Sequence, residues 1–76
     1  MTTLKIALNT IERVKQFVRT ITVYPNDFDL VSNRYTIDAK SIMGIFSLDL
    51  SNPIELHIHG DITPQLMDAL SAYLAE

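Results

Sequence analysis

Leu4, Ile6 and Leu8 alternate with Lys5 and Ala7, the period of a strand with one buried face. Asn9 lies three residues before Glu12, a pairing that resembles a capping box at a helix start. Ile11, Val14, Phe17, Val18 and Ile21 then recur at helical spacing, with Glu12, Lys15, Gln16 and Arg19 on the opposite side. The β-branched tail Thr20-Ile21-Thr22-Val23-Tyr24 imitates a strand, and Pro25-Asn26-Asp27 stops whatever precedes it.

Phe28 and Leu30 face one way, Asp29 and Val31 the other. Ser32-Asn33-Arg34 is a turn, with Asn33 able to supply the positive φ of a tight hairpin. Tyr35, Ile37 and Ala39 continue as a second alternating strand, and Ser41 to Leu48 as a short helix. Ser51-Asn52-Pro53 is a loop. Ile54, Leu56 and Ile58 point inward on a last strand, with Glu55, His57 and His59 outward. Thr63 caps the closing helix, Pro64 suits its first position, and Leu66, Met67, Leu70, Tyr73 and Leu74 form its stripe. The expected order is β-α-β-β-α-β-α. One-sided alternation predicts an α+β fold: a four-stranded antiparallel sheet, three helices on one face and an open face on the other.

The 76 residues predict one domain over 1–76, with a marginal core. Without cysteine, neither a disulfide nor a thiolate metal site is available. A net charge of −3 argues against nucleic acid or an anionic membrane as partner. No apolar run approaches the roughly 18 residues of a membrane span, and the N-terminus lacks a signal-peptide pattern. The expectation is a cytoplasmic protein, monomer or weak dimer, with no cofactor.

Ser41 is the pivotal residue: a helix cap, or an anion site that can be switched. Ile42, Met43 and Phe46 are candidates for exposure, because Ile45 and Leu48 suffice to bury one side of so short a helix. Some of the three could instead pack under the first helix. Arg13, Lys15 and Arg19 hold half of the six basic residues. They are either a solvated face or a rim that attracts acidic partners. His57 and His59 share a sheet face with Glu55, but spacing fixes no ligand set, so no metal site is expected. An enzyme built on those three would lack a nucleophile–base pair and a Gly-rich loop.

The run Ile37-Asp38-Ala39-Lys40-Ser41-Ile42-Met43-Gly44-Ile45-Phe46-Ser47-Leu48 resembles the regulatory-serine segment of the histidine-containing phosphocarrier family, HPr, of the sugar phosphotransferase system. Ile54-Glu55-Leu56-His57-Ile58, Gly60-Asp61 and the final helix are similar in kind. The resemblance implies the open-faced β-sandwich of that family. It also implies phosphorylation of Ser41 by an ATP-dependent HPr serine kinase. Protein partners, from the phosphotransferase system or regulatory, would meet the surface of Ile42, Met43, Phe46, Lys40, Arg13 and Lys15. The family carries phosphate on a histidine in a Leu-His-Ala-Arg-Pro motif at the first helix. Counting back from Ser41 without gaps puts Asn9-Thr10-Ile11-Glu12-Arg13 there, with Thr10 at the histidine position and Glu12 at the arginine position. A threonine hydroxyl without a nearby base is a poor nucleophile, and Glu12 repels a phosphoryl group. The implied protein is therefore an HPr-like regulator without carrier activity. The alternative is a phosphate-independent interaction module on the same fold.

Overall fold

The computed structural model describes residues 1–32 and 34–75. The elements are β1 (Thr2–Ile6), α1 (Ile11–Thr22), β2 (Phe28–Ser32), β3 (Tyr35–Asp38), α2 (Ile42–Phe46), β4 (Ile54–Ile58) and α3 (Pro64–Leu70). A 3-10 turn, Ser71–Tyr73, follows α3. The four strands form one antiparallel sheet in the order β1-β4-β2-β3. This is the expected α+β architecture and element order. The turn expected at Asn33 lies outside the described residues.

Register follows from the alternation. Leu4, Leu56, Leu30 and Ile37 lie opposite one another across the sheet on the helix side. Glu55, His57 and Asp29 are half-buried on the other side. The inner face meets Val14, Phe17 and Ile21 of α1, Ile45 of α2, and Leu66 and Leu70 of α3 in one buried cluster. Phe17 is fully buried and meets the Tyr73 ring edge-on, with centroids 5.5 Å apart. No polar or charged residue is buried among those described, so apolar contact dominates the interior.

Several boundaries differ from the sequence expectation. The first strand runs Thr2–Ile6, not to Leu8, because the chain leaves it toward the C-terminal segment: Ala7 N–H donates to Tyr73 O at 2.8 Å. Thr10, not Asn9, caps α1, its Oγ1 accepting from Arg13 N–H at 3.1 Å. The expected Asn9–Glu12 box therefore does not form. Ile11, placed in the buried stripe by its spacing, is the first helical residue and is 61% exposed. Ala39 is buried but lies in the turn after β3. Tyr35 has the inward parity yet is exposed, because the helices do not cover that end of the strand. The closing stripe is split: Leu66, Leu70 and Tyr73 are buried, Met67 is half-buried and Leu74 is exposed.

Gly60 has φ 82°, the left-handed region that glycine adopts without strain. It turns the chain out of β4, and Asn26 Nδ2 clamps that turn by donating to His59 O and Asp61 O, both at 2.8 Å.

Candidate functional site

Ser41 closes a tight turn that leaves β3. Its N–H donates to Asp38 O at 3.0 Å, and Asp38 Oδ1 accepts from Lys40 N–H at 2.9 Å. The Ser41 hydroxyl then caps α2, accepting from Gly44 N–H at 3.3 Å. Ser41 is exposed, and its bond to Gly44 is at the long end of the range for such contacts. A Cβ on Gly44 would stand 3.3 Å from Ser41 Oγ and 3.4 Å from Ile37 Cδ1, close enough that the exposed serine side chain would have to give by a few tenths of an ångström. α2 ends one turn later, where Ser47 Oγ and N–H both donate to Gly44 O. The expected helix from Ser41 to Leu48 is thus five residues, Ile42–Phe46.

α2 sorts its apolar residues sharply. Ile45 is fully buried and Ile42 packs half-buried against the core. Met43 is 77% exposed and Phe46 41% exposed. The sequence offers Ile42, Met43 and Phe46 as candidates for exposure, with packing of some of them under α1 as the alternative. Two are surface residues, while Ile42 has a packing duty because it leans toward the interior.

The basic residues divide in the same way. Lys15 is exposed on α1. Arg13 is not a free rim charge: its Nε donates to Ala7 O at 2.9 Å and its Nη2 to Ala72 O at 3.0 Å. Its guanidinium also lies 5.3 Å from the Tyr73 ring centroid. It ties the start of α1 to the end of β1 and to the C-terminal segment. Lys40 is similarly engaged, with Nζ donating to Tyr24 O at 2.8 Å and standing 5.4 Å from the Phe28 ring centroid. No sequence signal announces either tie, since the acceptors are backbone carbonyls, six and 59 positions from Arg13 and 16 from Lys40.

Thr10 is exposed at the mouth of α1, with its side-chain oxygen turned to Arg13 N–H. Both histidines of the chain lie elsewhere, His57 on β4 and His59 just after it. Each is bonded to a carboxylate: His57 Nε2 to Glu55 Oε1 at 3.0 Å, and His59 Nε2 to Asp29 Oδ2 at 2.8 Å. These contacts give each imidazole a separate partner. Among the described residues, no three of histidine, aspartate and glutamate are grouped to hold a metal ion. No helix among them is long and apolar enough to cross a membrane.

The family model described as "PTS HPr component phosphorylation site" matches residues 10–76. The chain belongs to the HPr family. Its fold matches the structure of HPr-C-His from Thermoanaerobacter tengcongensis, at 29% identity and a TM-score of 0.74, covering 93% of this chain and 85% of that one. It also matches phosphocarrier protein HPr from Bacillus anthracis str. Ames, at 25% identity and a TM-score of 0.75, covering 97% of this chain and 94% of that one. No curated protein matches it. The HPr family supplies a phosphotransferase-system, phosphocarrier-type context rather than a catalytic enzyme.

Proposed function

We propose that this chain is a regulatory HPr-like protein that binds partner proteins through the surface around Ser41. Phosphorylation of Ser41 switches that surface, and no histidine of the chain carries phosphate. The observation that carries this reading is the pairing of an exposed, weakly held hydroxyl with the exposed Met43 and Phe46 on the same short element. A methionine at such a surface adapts to more than one partner.

A serine kinase would transfer the γ-phosphoryl group of ATP to Ser41 Oγ, with loss of the hydroxyl proton. The added charge of about −1.5 to −2 changes the potential in front of Met43 and Phe46. Lys40 offers little neutralisation, because Tyr24 O and the Phe28 ring already hold its ammonium. The new charge therefore faces the partner, favouring cationic contacts and opposing acidic ones. Lys15 remains an exposed cation on α1, available to an acidic partner of the unphosphorylated chain. Thr10 supports the loss of carrier activity: it has no histidine nearby to serve as base, and Glu12 follows it by two residues.

The test is incubation with an HPr serine kinase and ATP, read by intact mass. One added phosphoryl group, absent from Ser41→Ala, is expected. The second reading is a phosphate-independent interaction module, favoured by the cap bond that already employs the Ser41 hydroxyl. Partner capture that ignores both Ser41→Ala and kinase treatment would select it.

A further inference from the structure

We infer that β3 is a self-complementary edge through which two copies of this chain pair. β3 is the outer strand of the sheet, next to β2 alone. Ala39 N–H donates to Phe28 O at 2.9 Å, which fixes the hydrogen-bonding phase of the β2–β3 ladder. Antiparallel pairs alternate between bonded and non-bonded, so Leu30–Ile37 and Ser32–Tyr35 are the further bonded pairs. The backbone groups of Tyr35 and Ile37 therefore turn to β2. Those of Thr36 turn outward, to the bare edge.

A two-fold axis through Thr36 uses these groups directly. Thr36 of each copy exchanges both backbone bonds with Thr36 of the other, forming a bonded pair. The residues two positions to either side are Arg34 and Asp38, of opposite charge. The axis sets Arg34 of one copy against Asp38 of the second, twice over. It also sets Tyr35, which is 68% exposed, against Ile37 of the second copy, an aromatic to β-branched cross-strand pair.

A separate observation points the same way. Asp38 lies directly opposite Asp29 within the sheet. That pair is of the non-bonded kind, which brings side chains closest, and like charges so placed are destabilising. Asp29 has His59 against one oxygen. Among the described residues, Asp38 has no cationic partner, and only its Oδ1 is taken, by Lys40 N–H. Arg34 is exposed in the turn before β3 and forms no ion pair among the described residues. Arg34 of a second copy brings a cation to a carboxylate that has no ion pair among the described residues. The proposal does not involve the Ser41 hydroxyl, Met43 or Phe46, so it stands or falls independently of the regulatory reading.

The edge is four residues long, so the pairing is weak and salt-sensitive. Sedimentation velocity from about 10 µM to about 1 mM covers the range in which so small a contact associates. The full chain is expected to shift from one toward two copies across that range. Arg34→Asp, which sets like charges against each other, raises the dissociation constant by about tenfold or more. Thr36→Pro removes an N–H that the β2–β3 ladder does not use, so it abolishes association and leaves the circular dichroism spectrum unchanged. The double exchange Arg34→Asp with Asp38→Arg restores association. A single-copy mass throughout the range overturns the proposal. So does association that Arg34→Asp and Thr36→Pro leave untouched, or a double exchange that fails to rescue.

Discussion

Replacing Arg13 with alanine separates a structural cation from a docking cation. The guanidinium holds Ala7 O, which is part-buried, and Ala72 O, which is exposed, and lies beside the Tyr73 ring. A charge-assisted bond to a half-buried carbonyl contributes about 1.5 kcal/mol net. The exposed bond contributes about 0.5 kcal/mol once water competes for it. The cation–ring contact adds about 0.5–1 kcal/mol. Together these give about 2.5–3 kcal/mol. In a domain of this size that lowers Tm by about 10–20 °C. Urea unfolding followed by circular dichroism reads the change directly. Arg13→Lys should recover only part of it, since one ammonium cannot reproduce a planar fork across two carbonyls. Lys15→Ala, at an exposed cation without such bonds, should stay within about 0.5 kcal/mol. If Arg13→Ala also stayed within that margin, the clasp would not hold the fold and Arg13 would return to the docking surface.

Ser41→Ala should lose about 0.5–1 kcal/mol in the same assay, the low end of the cap range, given the 3.3 Å bond to Gly44. Met43→Glu should change stability by no more than about 0.5 kcal/mol while weakening partner capture by about tenfold, checked by calorimetry with the captured protein. Hydrogen bonds from the Ser51 hydroxyl first, and its backbone N–H second, hold the Asp49 carboxyl below the ordinary carboxylate range. The linked stability is present above the unfolded-chain value near 3.8 and is lost as pH falls through the lower folded value. Carboxyl titration by NMR should show Ser51→Ala moving Asp49 upward.

What was legible in the sequence is what depends on neighbours along the chain. The alternation Ile54-Glu55-Leu56-His57-Ile58 predicts the buried and outer faces of β4, and Thr63-Pro64 marks the start of α3. Val14, Phe17 and Ile21 likewise give the buried stripe of α1. The α1 start was misplaced by one residue because Asn9 and Thr10 are both good caps. Tyr35 misled because parity predicts a direction, while burial needs a helix above it. The roles of Arg13 and Lys40 were illegible because a long side chain finds its partner through the tertiary fold, and composition labels it only as charged. At the candidate site, the shortness of α2 makes Met43 and Phe46 candidates for exposure, and both are exposed. Which of Ile42, Met43 and Phe46 packs inward is not legible, since a five-residue helix can turn either apolar side to the core; it is Ile42.

The central claim is that phosphate enters this chain at Ser41 and not on a histidine. The most direct measurement treats the purified chain in parallel with HPr serine kinase plus ATP, and with the phosphoenolpyruvate-dependent enzyme of the phosphotransferase system. Intact mass and peptide mapping then locate any label. The account predicts one phosphoryl group on Ser41 in the first reaction and none in the second. An unmodified chain in the first, or an acid-labile phosphoryl group in the second, would contradict it.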